Sequence, residues 1–411
     1  TLLRFLVQNH SANLQPEMLS AIEPEVLSTR VARIIYGLQG KLCEGNEGGN
    51  GFIELLTDIL EHPELGFKFS PKSYCISICG LGNMDESVEV GGTGIGSERD
   101  SKDAVIDETR RALLKGIVRR APPRDAKNNL QNEIVQGDDS RMDRHFPSFG
   151  TVLQGLRGMN SDDEDVRTAV GILVQALPTL PSTNSDELSD VILGFSSLSN
   201  MSSSVDEVRG MLEFLNERLL RHDLSRVSIE EVSQIMMGMQ RMHSTHNKVS
   251  KVLNNVRTIL AAHRSENGEC LAMRNLATIL YGLQSSSSSD GVIKKLLTEL
   301  CGILNESNNS RDDGALGRGV ITGRQLMFCL VGMQNMNLDH PEVQNLWRIL
   351  LTILDNSPSK LTRSSIEKSL SILRARKDRV ESGGQGLAED MERMLNEKSA
   401  QLNSAPAATP S

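Results

Sequence analysis

Aromatic side chains are scarce in this sequence: phenylalanine, tyrosine and tryptophan make up 3% of its 411 residues, and tryptophan occurs once. Large stacking platforms for nucleotides are therefore not expected, because aromatic rings build them. Long apolar runs are lacking as well, and no stretch approaches the roughly 20 residues that a membrane-spanning helix needs. Leucine, isoleucine, valine and methionine must fill the core, which suits helices packed on helices.

Cysteine and positive charge are also limited. The six cysteines are scattered, which favours free thiols in a reducing, intracellular compartment over a disulfide framework. Cys75 and Cys79 stand four residues apart, but no second pair or nearby histidine completes a zinc site. We therefore expect core packing there and predict no metal and no other cofactor. The formal net charge of −9 opposes non-specific binding to a phosphate backbone.

A short phrase recurs along the chain: an apolar pair, a spacer, a glycine, an apolar residue and often a glutamine. Its glycines are Gly37, Gly80, Gly155, Gly194, Gly238, Gly282 and Gly332. Such a recurrence, mostly at roughly 40–50 residue intervals, is typical of a stacked repeat. The sequence therefore predicts an all-α fold, an α-solenoid of about seven to eight antiparallel helical hairpins with a period near 44 residues.

Apolar or aromatic residues recur six and two positions before each glycine and one position after it; together with the residue three positions before the glycine, these offsets are the spacing of one helical face. This first helix of each hairpin, helix A, is expected to begin at a capping residue such as Ser70, Ser228 or Thr322. It is expected to run for ten to fifteen residues. A polar turn and a second apolar stripe, helix B, follow. An eighth copy has Ile372 where the glycine would be, which suits an end unit.

The recurring glycine needs a reason, because glycine inside a helix costs about 1 kcal/mol relative to alanine. Two structural explanations are open. The glycine permits a neighbouring helix backbone to approach closely, or it ends helix A as a C-cap.

The domain prediction has four parts. Residues 1–120 are N-terminal helical repeats with a glycine-rich insertion at 91–100, and residues 121–147 are a polar linker or insertion. Residues 148–380 are the regular repeat block, and residues 381–411 are a polar helix with a disordered tail. Each insertion is either a disordered segment or a docking loop.

No catalytic motif stands out. The glycines at 91–96 lack the spacing of a dinucleotide fingerprint, and no Gly-Lys-Ser/Thr follows them. No nucleophile–base–acid set and no paired-carboxylate signature is evident. The sequence therefore predicts neither an enzyme nor a small-molecule substrate.

Two groups of polar residues are candidate binding residues. The first stands two positions after the glycine and consists of Gln39, Arg157, Gln240, Gln284 and Gln334. Their amides either satisfy open carbonyls at the end of helix A or form a ladder that contacts a partner. The second group is the basic run from Lys360 to Arg379, which includes Arg374, Arg376 and Lys377. It is either a solvated last helix or part of a nucleic-acid surface.

The hairpin period, the Gly-Leu-Gln-x-Met phrase and the Glu-Val start of helix B, as at Glu207–Val208 and Glu342–Val343, resemble degenerate helical repeats of algal and protist proteins. The plan over residues 20–380 is similar to HEAT, armadillo, pentatricopeptide and octotricopeptide arrays. The balanced charge of the array, the scarcity of aromatic residues and the absence of catalytic motifs favour a non-catalytic scaffold for protein partners, a subunit or assembly factor of a larger complex. The alternative is an organellar protein that binds single-stranded RNA, and a chloroplast or mitochondrial location rests on the resemblance alone.

Overall fold

The protein is all-helical wherever its structure is described. The computed structural model describes residues 23–37, 53, 56–62, 65–82, 97–121, 147–179, 187–266, 271–309, 321–356, 361–377 and 385–404. These residues form sixteen α-helices and no β-strand. Two compact units are present, Thr1–Leu198 (unit 1) and Ser199–Ser411 (unit 2). The predicted all-α, solenoid-like class is confirmed.

Helices of two kinds alternate along the chain. The A helices of unit 1 are α1 (Pro24–Gly37), α3 (Pro71–Gly82), α5 (Phe149–Gln154) and α7 (Glu187–Ser197). Those of unit 2 are α9 (Ile229–Met237), α11 (Met273–Gly282), α13 (Gly323–Gly332) and α15 (Arg363–Lys377). The B helices of unit 1 are α2 (56–61), α4 (Ser97–Arg119) and α6 (Glu164–Ala176). Those of unit 2 are α8 (Asp206–Leu219), α10 (Asn247–Glu266), α12 (Gly291–Asn309), α14 (Pro341–Asn356) and α16 (Gln385–Ser404).

The packing of unit 2 separates these helices into two layers. Each A helix packs on the next A helix, from α9 through α11 and α13 to α15. Each B helix packs on the next B helix, from α8 through α10, α12 and α14 to α16. In unit 1, α1, α3, α5 and α7 likewise pack in sequence, and α4 packs on α6. Helices that bury one face against a sequential neighbour are the defining feature of a solenoid.

The predicted apolar stripe is the buried face of the A helices. In α9 and the turn that follows it, the stripe consists of Val232, Ile235, Met236 and Met239, each with at most 1% of its surface exposed. The equivalent residues of α11 and α13 are buried as well. The predicted helix starts are confirmed where they are described: Ser228 with Glu231 and Thr322 with Gln325 form capping boxes.

The recurring glycine permits close contact between consecutive A helices. A Cβ atom added at the glycine would collide with the backbone two residues before the preceding copy's glycine. The pairs are Gly80 with Ile35, Gly155 with Ile78, Gly282 with Met236, and Gly332 with Leu280. At Gly80 the added atom would lie 2.7 Å from the carbonyl carbon of Ile35, well inside the usual carbon–carbon contact distance of about 3.5–4.0 Å. A larger residue would therefore force the helices apart.

A left-handed C-cap does not explain the glycine. Gly155 and Gly238 do follow the last residues of α5 and α9, but their φ angles of −57° and −70° are right-handed helical values. Any L-residue adopts such angles. Among the described glycines, Gly158 has a positive φ, 81°, and it belongs to the turn rather than to the phrase. Close approach is therefore the explanation that the geometry supports.

The fourth copy of the phrase is displaced by three residues from the sequence alignment, so the assignment of Gly194 as a repeat glycine is wrong. Ser197 occupies the position instead: the Leu198 N–H donates to the Phe195 carbonyl at 3.0 Å, as the Met239 N–H donates to the Met236 carbonyl at 2.9 Å. In this register the four stripe residues, Val191, Gly194, Phe195 and Leu198, are all buried. Alignment by residue type selects glycine, whereas close packing requires only a small residue.

Other expectations differ in their boundaries or lie outside the described residues. Helix α4 begins at Ser97, so residues 97–100 of the predicted glycine-rich insertion are helical. Residues 91–96 and 122–146 are outside the described part of the chain. The predicted polar helix near the C-terminus is α16, which packs on α15 and α14 as the last B helix.

Candidate functional site

The residues predicted to form a polar ladder do not share one environment. Gln240 is 7% exposed, and its side-chain amide donates to the Met237 carbonyl at 3.0 Å. Gln284 is half-buried, whereas Gln334 and Arg157 are exposed. Gln39 lies outside the described residues. The Gln240 contact is the carbonyl-satisfying role proposed above, and the differing exposure argues against one uniform binding ladder.

The backbone at these positions joins neighbouring hairpins. The Ser285 hydroxyl donates to the Gln240 carbonyl at 2.9 Å, and the Asn335 amide donates to the Gln284 carbonyl at 2.6 Å. In unit 1, the buried Arg110 of α4 donates to the Arg157 carbonyl at 2.8 Å. Because carbonyls at helix ends lack intrahelical partners, these bonds satisfy them and fix one hairpin to the next.

A buried serine makes a second contact between hairpins. The Ser203 hydroxyl accepts the His243 N–H at 2.8 Å, and the Ser288 hydroxyl accepts the Asn337 N–H at 2.7 Å. Both serines are fully buried and stand six residues after a glycine position, Ser197 or Gly282. The turns after the A helices therefore serve the stacking of hairpins.

The basic run near the C-terminus is partly neutralised within the chain. Arg374 pairs with Glu392 of α16 at 3.2 Å, and Arg363 pairs with Glu367 at 3.0 Å. Arg376 and Lys377 belong to the last turn of α15, and their side chains lie outside the described residues. The paired arginines fit the interpretation of a solvated helix, although α15 is followed by α16 and is therefore not the last one.

The outer side of the A helices in unit 2 presents a different set of residues. We call it the A-face and define it as the positions eight, four and one before the glycine position in α9, α11, α13 and α15. These are Glu230, Gln234, Met237, Arg274, Thr278, Tyr281, Arg324, Phe328, Val331, Ser364, Lys368 and Ser371. All are exposed or half-buried, in contrast to the buried stripe. Their spacing places them along one side of each helix.

Two aromatic rings meet at the centre of the A-face. Tyr281 of α11 and Phe328 of α13 stack with centroids 4.3 Å apart and planes 17° from parallel. The Arg324 guanidinium lies 5.2 Å from the centroid of the Phe328 ring, within cation–π range. Met237 of α9 and Val331 of α13, which stand at the same position of their helices as Tyr281, extend this apolar area. The result is a half-exposed apolar strip with arginine at its border.

The A-face carries four charged residues, Glu230 of α9, Arg274 of α11, Arg324 of α13 and Lys368 of α15, and three of them are basic. Arg274 and Arg324 occupy the same position in consecutive A helices and are exposed. Neither has an ion-pair partner among the described residues, whereas Arg264 of the B layer pairs with both Glu299 and Glu306. Two unpaired guanidinium groups beside an apolar strip form a surface to which carboxylates can bind in bidentate fashion.

Other chemical groups in the described residues are part of the packing. Burial raises the pKa of the Cys75 and Cys329 thiols to about 12, which keeps them protonated. Burial, Arg209 and His243 together lower the pKa of His246. Within the described ranges, no group of three or more metal-ligating side chains lies together, and no helix is long and apolar enough to span a membrane.

The A-face was not predicted from the sequence, because the prediction used the residues that recur from copy to copy. The signal was available: the positions that alternate with the apolar stripe must point away from the core, and they hold Tyr281, Phe328 and Arg324. That these rings stack on each other follows from the spacing of two helices and has no sequence signature.

Comparison with known proteins gives no relative for this chain. No protein-family model, no curated protein and no solved structure matches it.

Proposed function

We propose that this protein is a non-catalytic helical-repeat scaffold that binds a protein partner through the A-face and acts as a subunit or assembly factor of a larger complex. The observation that carries the proposal is the half-exposed strip of Met237, Tyr281, Phe328 and Val331 across three consecutive A helices. Protein interfaces are enriched in aromatic residues, methionine and arginine, and hot spots are enriched in tyrosine and arginine. The A-face has this composition in a chain with few aromatic residues.

Binding of single-stranded RNA is the second candidate, and one observation favours it. The described parts of α11, α13 and α15 carry exposed Arg274, Arg324, Arg363, Lys368 and Arg374 against one acidic residue, Glu367. Two facts argue against it. Arg363 and Arg374 are already paired with carboxylates, and Tyr281 and Phe328 stack on each other rather than offering separate platforms to bases. The chloroplast or mitochondrial location suggested by the resemblance remains a prediction.

The proposal is tested by the mass of the protein in a native extract, measured by size-exclusion chromatography with and without ribonuclease. We expect the 45.1 kDa chain to elute in a complex substantially larger than itself and to remain there after ribonuclease treatment. Elution at the mass of the lone chain would overturn the scaffold proposal. A complex that ribonuclease dissolves would favour the RNA candidate.

A further inference from the structure

The A-face has a layout that specifies one kind of partner. Arg274 and Arg324 stand seven positions before Tyr281 and Val331. At 1.5 Å per residue, the arginine row and the apolar row are about 10 Å apart along the helix axis. An α-helix with its side chains is about 10–12 Å wide. A helix laid across the A helices therefore reaches both rows at once.

The spacing in the other direction sets the pattern on that helix. Neighbouring packed helices lie about 8–10 Å apart, so Arg274 and Arg324 are separated by roughly that distance across α11 and α13. Carboxylates at positions i and i+7 of a partner helix are about 10.5 Å apart along its axis. One edge of the partner can thus pair with both arginines while the adjacent apolar edge covers Met237, Tyr281 and Val331.

Building on the proposed function, we propose that the A-face binds an amphipathic helix of a partner protein, with acidic residues about two turns apart on one edge and apolar residues on the adjacent edge. Charge complementarity carries this choice: the two arginines on the exposed border of the strip have no carboxylate partner among the described residues. Such a helix supplies both carboxylates and apolar surface, as helix-in-groove recognition requires.

The test uses the full chain as bait for a phage-displayed library of random 18-residue peptides. Panning is run in parallel on the wild type, on the double variant Arg274→Glu/Arg324→Glu, and on a matched control, Lys295→Glu/Arg348→Glu. The control residues are exposed on the B helices α12 and α14 and receive the same change in charge. Circular dichroism and thermal unfolding establish that all three chains fold alike.

We expect the wild type and the control to enrich peptides with paired acidic positions and an apolar edge, and the A-face variant to lose them. Fluorescence anisotropy of the best peptide is expected to give a Kd about tenfold weaker or more for Arg274→Glu/Arg324→Glu. A peptide with its acidic residues changed to lysine should regain affinity for that variant alone. Tyr281→Ser should weaken binding without changing this charge preference.

Several results would overturn the inference. They are an absence of enrichment, enrichment without acidic residues, and equal binding by the wild type and the A-face variant. Tighter binding of a 20-nucleotide oligouridine that is lost in the same variant would assign the face to nucleic acid. Self-association in sedimentation that is lost in the variant would assign it to a second copy.

A native complex that survives Arg274→Glu/Arg324→Glu would overturn this inference and the assignment of the partner to the A-face, and it would leave the role as a subunit of a larger complex intact. A chain that forms no native complex would overturn the scaffold proposal itself.

Discussion

The A and B layers of unit 2 are held together by different parts of the chain. Consecutive A helices meet backbone to backbone at Gly282 and Gly332, and hydrogen bonds to main-chain carbonyls lock the turns that follow. Beside their apolar core, consecutive B helices meet through the ends of long side chains, such as Lys248 with Glu213 at 2.5 Å and Arg264 with Glu306 at 2.7 Å.

The difference determines how much change each layer tolerates. A backbone contact cannot move without moving the whole helix, because protein interiors are close-packed. A partly exposed side chain can adopt another rotamer at small cost. We therefore expect mutations at the backbone contacts of the A layer to destabilise the protein strongly, and conservative charge changes in the B layer to destabilise it little. The following predictions run from the largest expected effect to the smallest.

We expect the largest loss of stability at a buried side chain outside the A layer. This prediction sharpens the comparison because it tests whether burial, rather than the layer, determines how far a mutation destabilises the protein. Arg120, at the end of α4, is 7% exposed and donates to the carbonyls of Leu60, His62 and Leu65. Its guanidinium lies 4.6 Å from the centroid of the Phe67 ring. Arg120→Met should cost about 3 kcal/mol or more, because buried carbonyls lose their donors.

The neighbouring Arg119 provides the control. Its exposed guanidinium pairs with Glu61 at 3.1 Å, and Arg119→Met should cost under about 1 kcal/mol. Urea unfolding followed by circular dichroism measures both variants. Equal losses of unfolding free energy in the two variants would show that the buried hydrogen bonds of Arg120 contribute no more than the exposed ion pair of Arg119.

The second prediction compares two glycines directly. An added Cβ at Gly332 meets the backbone of Leu280, whereas one at Gly302, in the B helix α12, meets the flexible end of Arg264. Gly332→Ala should destabilise the protein by about 2 kcal/mol, since overpacking exceeds the gain in helix propensity. Gly302→Ala should be neutral or stabilising. Denaturant midpoints at unchanged slope provide the measurement, and the reverse order would break the comparison of layers.

The third prediction concerns the buried serine of the turns. Ser288→Ala removes the acceptor of the Asn337 N–H from a fully buried position and should cost about 1 kcal/mol, the usual net contribution of a hydrogen bond. The adjacent Ser289 is exposed, and Ser289→Ala should change stability by less than about 0.5 kcal/mol. Hydrogen exchange at Asn337 should accelerate in the first variant only. An unchanged exchange rate there would contradict the proposed role of Ser288.

The smallest effect is expected for the ion pair between α8 and α10. Lys248→Ala should cost under about 1 kcal/mol, because both partners are partly exposed. The hydrogen bond from Lys248 lowers the pKa of Glu213 from its ordinary value of 4.5. A lowered carboxyl pKa adds stability above that value and loses it as the pH falls through the folded-state pKa. The difference between wild type and Lys248→Ala should therefore shrink from pH 6 to pH 3; a constant difference would locate the effect elsewhere.

The sequence predicted the buried stripe of the A helices because helical periodicity dictates which residues face the core. It also predicted the capping boxes at Ser228 and Thr322, whose signatures are local. It misplaced the fourth copy at Gly194 because the packing requirement is small size, which Ser197 also meets. The Tyr281–Phe328 stack could not be predicted, since it joins helices whose separation and rotation are set by the whole array.

The glycine contacts also explain why the spacing of the copies can vary. Gly155 meets Ile78 although 75 residues separate it from Gly80, and Gly332 meets Leu280 although 50 residues separate it from Gly282. Which residues of two consecutive A helices meet is thus independent of the length of the chain that connects them. New sequence can therefore be inserted between two hairpins, in evolution or by design, and the A helices on either side will still make the same contact.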